Sequence, residues 1–184
     1  MLADPRRSRL ILINPGRTRP GTISIDRAVD RQESLALLPA VFQVFSITLN
    51  LVGEHEPSWA GQLPGVVTIP DADPLELWHD ARFIASLTTS NTSLLFLGGA
   101  WLEEDVLIAA LEGAKLGYDV RILADLSMAR READRQLVLD RLALHGILTT
   151  TLRQTLLEWA VCLGCPIARQ NVQQLLIDPR TELS

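Results

Sequence analysis

Three polar residues stand just past apolar runs: Asn14 closing Arg9–Asn14 (RLILIN), Asp71 after Val66–Ile69, and Asp105 beyond Ser93–Leu97 (SLLFL) and its Gly98-Gly99. Two carboxylates held close together raise one pKa and create a proton donor, which is the chemistry Asp71 and Asp105 would share across a cleft. A plainer reading of Asp105 is as a first-turn helix residue. With Glu103 and Glu104 it opens an apolar-periodic stretch, where negative charge is stabilised by the helix dipole. Cys162-Leu163-Gly164-Cys165-Pro166 is a Cys-x-x-Cys. Redox chemistry would need it at a helix start after a strand, and a zinc site would need a second pair. Here it follows a helical stretch, so a C-terminal turn with two inert thiols is the simpler expectation.

Arg17, Arg19, Arg27 and Arg31 cluster after the first apolar run. Arginine forks match carboxylate and phosphate, so the cluster suits an anionic ligand. With Asp26, Asp30 and Glu33 among them, a solvated helix face is the plainer alternative. Trp59, Trp78, Trp101 and Trp159 are candidates for lining a pocket or for anchoring a core or subunit interface.

The elements that must position these residues read as short β-rich runs alternating with helices. After Arg9–Asn14 come a Pro/Gly loop and a helix from about Asp26, which Pro39 should kink or end. A strand is expected over Phe45–Leu51 and another over Val66–Ile69. Asp73-Pro74 then opens a helix running through Trp78 to about Leu87. The strand Ser93–Leu97 precedes a helix over Glu103–Leu116, whose face of Leu102, Val106, Ala109, Ala110, Gly113 and Ala114 is small-sided. Strand Tyr118–Ala124, helix Ala129–Leu144, strand Ile147–Thr149 and helix Thr151–Val161 follow, then weaker helical spacing over Ile167–Ile177 with Asp178-Pro179 as a stop. Six strands alternating with helices predict a three-layer α/β/α doubly wound parallel sheet. Sites in such sheets form at the carboxyl ends of strands, which directs attention back to Asn14, Asp71 and the Gly98–Asp105 turn.

The chain has 184 residues, 47% apolar and 21% charged, with a formal charge of −5. This suits a domain over residues 1–165 followed by a helical tail, 166–184, packing on a partner subunit. The acidic balance argues against nucleic acid as a partner. No apolar run approaches the roughly 20 residues of a membrane helix, and Leu10–Ile13 is short for a signal-peptide core, so a cytoplasmic protein is expected.

The segment Phe96–Ser127, FLGGAWLEEDVLIAALEGAKLGYDVRILADLS, resembles the isochorismatase-like hydrolases, the cysteine hydrolase superfamily. Gly99, Val106, Gly117, Tyr118 and Asp125 fall at family positions. Leu77-Trp78-His79-Asp80-Ala81-Arg82-Phe83 and Asp140-Arg141-Leu142 extend the likeness toward the YcaC-like branch. The resemblance covers about residues 8 to 160 and implies strand order 3-2-1-4-5-6. It also implies a non-proline cis peptide, at Trp101-Leu102, and a homo-oligomer. The Leu107 and Leu111 side of one helix and Val172–Ile177 are the candidate contacts.

The family's triad is an Asp after the first strand, a Lys or Arg after the third, and a nucleophilic Cys. Asn14, Asp71 and Asp105 occupy those places. An amide does not accept a proton at neutral pH, so Asn14 cannot be the general base. A carboxylate is a far weaker nucleophile than a thiolate. Asp71 reverses the charge that would hold a thiolate. No cofactor is implied. The metal-binding cluster of the nicotinamidase branch has no clear equivalent, with His55 between Glu54 and Glu56 and His79 isolated. The expectation is an inactive or departed homologue with a binding or scaffold role toward itself and a small-molecule ligand, with Gly99, Trp101, Leu102 and Trp78 around the site. The alternative is a hydrolase of a small amide, ester or vinyl ether using Asp105 and Asp71.

Overall fold

A computed structural model describes residues 2–17, 25–56, 63, 65–88 and 91–177. Arg19, Trp59, the side chain of Asp26 and the Asp178-Pro179 stop lie outside the described residues or side chains.

Six strands form one parallel sheet: β1 (Ser8–Ile13), β2 (Thr48–Val52), β3 (Val66–Ile69), β4 (Leu94–Ala100), β5 (Asp119–Met128) and β6 (Leu148–Thr150). Their order is β3-β2-β1-β4-β5-β6, as the resemblance implied. β1 and β4 lie at the centre and are buried at every residue, which is why they read as unbroken apolar runs rather than alternating ones.

Side chains nonetheless alternate between two cores. Leu10, Leu12, Leu49, Leu51 and Phe96 face α1 (Ile25–Phe45), α5 (Leu152–Leu163) and α6 (Pro166–Ile177). Ile11, Ile13, Leu95, Leu97 and Ile122 face α2 (Ala81–Thr88), α3 (Leu107–Lys115) and α4 (Arg135–Leu144).

Several boundaries depart from the sequence reading. α1 runs through Pro39 to Phe45, because buried Leu37, Leu38, Val41 and Phe42 hold both sides of the proline on the sheet. The helix expected from Asp73 is split. Pro74–His79 is a 3₁₀ turn capped by Asp73, whose carboxylate accepts from the Leu75 N–H. Asp80 interrupts it and caps α2, accepting from the N–H groups of Arg82 at 2.8 Å and Phe83 at 3.3 Å. β4 continues through both glycines, and β5 reaches Met128. α6 is no separate tail. Its Val172 and Leu175 join the core shared with α1 and Leu107 is also buried, while Ile177 at the end of the expected contact stretch is exposed. Other large apolar side chains that are exposed include Leu137, Leu144 and Leu148.

Candidate functional site

The carboxyl ends of β1 and β4 carry a closed polar cluster. Asn14 has a positive φ of 47° at the start of an Asn14-Pro15-Gly16-Arg17 turn, in which the Arg17 N–H donates to the Asn14 carbonyl at 3.0 Å. That turn folds Arg17 back over Asn14. The loop after β2 closes from the other side. The Asn14 N–H donates to the Val52 carbonyl, and the Glu54 N–H donates to Asn14 Oδ1 at 2.9 Å. Gly53 makes this approach possible. A Cβ there would lie 2.1 Å from Asn14 Oδ1.

Asp105 enters from the π-turn Leu102–Val106 that leads β4 into α3, held by the Val106 and Glu104 N–H groups donating to the Trp101 carbonyl. Asp105 Oδ2 accepts from Asn14 Nδ2 at 2.6 Å and from Arg17 Nη1 at 2.8 Å. Arg17 Nε donates to Glu54 at 2.8 Å. Asp105 is only 6% exposed. Burial pushes its carboxyl up, while the Arg17 charge and the Asn14 hydrogen bond pull the other way.

Of the three candidate residues, Asn14 and Asp105 therefore meet, and Asp71 does not. The Asp71 side chain is 71% exposed and is held at 2.7 Å by Arg82, whose hydrogen bond draws its pKa down. β3 stands two strands from β1, a separation of about 10 Å. The expected carboxylate pair of Asp71 and Asp105 is thus corrected to an Asp105–Arg17 ion pair. Arg17, from the loop after β1, is the positive charge beside Asp105. Sequence reasoning grouped Arg17 with three other arginines. The Asn-Pro-Gly turn, which returns residue i+3 to residue i, was the signal that could have singled it out.

The expected pocket residues are mostly structural. Leu102 is fully buried in the α3-side core. Gly99, at φ +124°, brings β4 so close to β1 that a Cβ would sit 1.8 Å from the Ile13 carbonyl oxygen. Trp78 donates from Nε1 to the Ala109 carbonyl at 2.9 Å and packs on Phe83 and Tyr118. A Cβ on Gly113 would lie 2.7 Å from its ring, which accounts for the small-sided face of α3. Trp101 packs with Ala100 and Met128 under the Arg130 guanidinium, 5.3 Å from the ring centre. The cis peptide precedes Trp101, at Ala100-Trp101, one residue before its expected place. Trp159 is a core residue, edge-on to Phe45 and Phe96.

Cys162 and Cys165 are free thiols flanking the Gly164 C-cap that ends α5. Of the remaining arginines, Arg27 pairs with Glu132, and Arg31 donates to the Pro15 carbonyl. Among the described residues no group of three His, Cys, Asp or Glu side chains is placed to hold a metal ion, and no helix is long and apolar enough to cross a membrane.

No protein-family model matches the chain, and no curated protein matches it. Solved structures do. The YcaC gene product of Escherichia coli, an octameric hydrolase of unknown specificity, superposes with a TM-score of 0.76 at 18% identity, over 96% of this chain and 95% of that one. The MAR1 ribonuclease of Caenorhabditis elegans gives 0.78 at 16% identity, over 99% and 95%. The nicotinamidase of Staphylococcus aureus gives 0.62 at 11% identity, over 78% and 99%. With the sheet order, these likenesses establish that the chain has the isochorismatase-like fold of the cysteine hydrolases.

Proposed function

We propose that this chain is a departed homologue of the cysteine hydrolases that binds rather than hydrolyses. One observation carries the reading. The residue at the nucleophile position, Asp105, is buried and has the same oxygen, Oδ2, engaged by both Asn14 and Arg17. A carboxylate so engaged is a poor nucleophile, and Asn14 offers no base to activate water. The competing reading, acid–base hydrolysis by Asp105 with Asp71, draws support from the upward push of burial on Asp105. The position of Asp71, exposed beside Arg82, weighs against it.

The ligand at these strand ends is a small molecule that exchanges with the Asn14–Asp105–Arg17 contacts. Self-association belongs to the same reading, with exposed Leu137, Leu144 and Leu148 as the surface. The test is turnover of a panel of small amides, esters and vinyl ethers by the purified chain, with Asp105→Asn as comparator. No hydrolysis above the Asp105→Asn background is expected. Turnover that the substitution removes would overturn the proposal.

A further inference from the structure

A second polar cleft lies beside the C-terminal half of β5, away from the contacts of Asp105. It has a volume of about 210 Å³ and is lined by Arg27 and Arg31 of α1, by Asp125 and Ser127 of β5, and by Arg135 and Thr151. Arg135 is only 5% exposed, yet its hydrogen bonds go to backbone alone: Nη1 donates to the Ser127 carbonyl at 2.8 Å and Nη2 to that of Ala124. Arg31 donates from Nη2 to the Pro15 carbonyl at 2.6 Å, and its Nε is buried without a partner. Neither guanidinium forms an ion pair with a carboxylate among the described residues.

Among the described residues three acidic groups share the cleft, and none forms an ion pair with Arg31 or Arg135. Glu132 pairs with Arg27 at 2.7 Å. Asp125 accepts from the Ser34 hydroxyl at 2.8 Å and from the Leu152 N–H that opens α5. Asp30 is exposed. Holding a guanidinium out of water without a directly paired carboxylate is unfavourable, and Arg31 and Arg135 both line this cavity in that state, with Asp125 and Asp30 on the same wall as the carboxylates an anion would have to outcompete. Planar guanidinium forks match the oxygen pairs of carboxylate and phosphate.

We propose that this cleft is a binding site for a small organic anion carrying a phosphate or carboxylate group, held between Arg31 and Arg135. The site is distinct from the Asn14–Asp105 cluster, though Arg31 also holds the Pro15 carbonyl of that cluster's turn, and the proposal does not depend on whether the cluster catalyses anything.

The experiment is calorimetric titration of the purified chain with inorganic phosphate and, separately, with succinate, at ionic strength held constant with chloride. Saturable binding of one molecule per chain is expected, weakened about tenfold or more by Arg31→Gln, as loss of a charge-assisted contact requires. Binding by phosphate alone assigns a phosphate ester, and binding by succinate alone assigns a carboxylate; either supports the site. Arg135→Lys keeps the charge and removes the fork, and weaker binding in that variant is expected too. Because Arg135 also ties two β5 carbonyls, Arg31→Gln decides the matter if Arg135→Lys does not fold. Absence of saturation by both anions up to about 20 mM overturns the proposal. So does binding that Arg31→Gln leaves unchanged and Arg17→Gln abolishes.

Discussion

Placing an aspartate at Asn14, where the resemblance to the cysteine hydrolases leads one to expect it, should damage this protein rather than create an activity. In Asn14→Asp the donor that sits 2.6 Å from Asp105 Oδ2 becomes an oxygen. Two carboxylates about 3 Å apart at an effective dielectric of about 20 repel by roughly 5 kcal/mol, on top of the charge-assisted hydrogen bond lost. The alternative is for the pair to keep one proton, whose O–H then replaces the lost donor. Holding that proton costs about 5 kcal/mol at pH 7.5 and about 1.5 kcal/mol at pH 5, relative to an ordinary aspartate. Arg17 offsets part of the repulsion. The variant should therefore lose about 3–5 kcal/mol at pH 7.5 and about 1–2 kcal/mol at pH 5. The sign follows from linkage: the folded variant binds a proton that the unfolded chain releases, so stability falls as pH rises. Urea unfolding of variant and wild type at both pH values measures this. The exchanged variant, Asn14→Asp with Asp105→Asn, returns a donor to the pair and should recover most of the loss. A penalty below about 1 kcal/mol at pH 7.5, or one equal at the two pH values, would refute the closed-cluster geometry.

Gly99→Ala should fail to fold, since its Cβ would sit 1.8 Å from the Ile13 oxygen where β1 and β4 meet; far-ultraviolet circular dichroism of the soluble fraction checks this. Asp125 is pushed up by burial against the pull of Ser34 and Leu152, so its contribution to stability is full below the ordinary aspartate range and is lost as pH rises through the raised pKa. Asp125→Asn should flatten that part of the profile, read as Tm between pH 4 and 8. Charged substitutions of Leu144 and Leu148, which are 89% and 57% exposed, should lower the mass found by light scattering while leaving Tm nearly unchanged. A chain already at its monomer mass of 20.3 kDa would remove this face as an interface.

The fold was legible because its signals are local and repeated. Fully buried β1 and β4 show as unbroken apolar runs, and the small residues of α3 mark where a helix meets Trp78. Thr151 and Gln154 form a capping box that places the start of α5 within a residue of its expected position. Helix continuity through Pro39 was not legible, because it depends on what Leu38, Val41 and Phe42 touch across the chain. The site was half legible. Asn14 and Asp105 follow from their places at the ends of adjacent central strands. Replacement of Asp71 by Arg17 as the neighbour of Asp105 did not follow, since it is set by a turn and by a loop from β2, neither of which has a period to read. The pairing of Asp71 with Arg82 likewise depends on how the Asp80 cap orients α2.

The mutual satisfaction of Asn14, Arg17 and Asp105 sets a competition for any molecule that seeks these strand ends. Each internal partner is tethered, so it is present at an effective concentration far above that of a free solute. A ligand can take Asp105 Oδ2, or the Arg17 groups bound to Asp105 and Glu54, only in the fraction of molecules whose cluster has opened, and its observed affinity is weakened by that fraction. Selectivity follows from the same arithmetic. A ligand offering one contact gains less than opening the cluster costs. One that presents a donor to Asp105 and an acceptor to Arg17 together regains both.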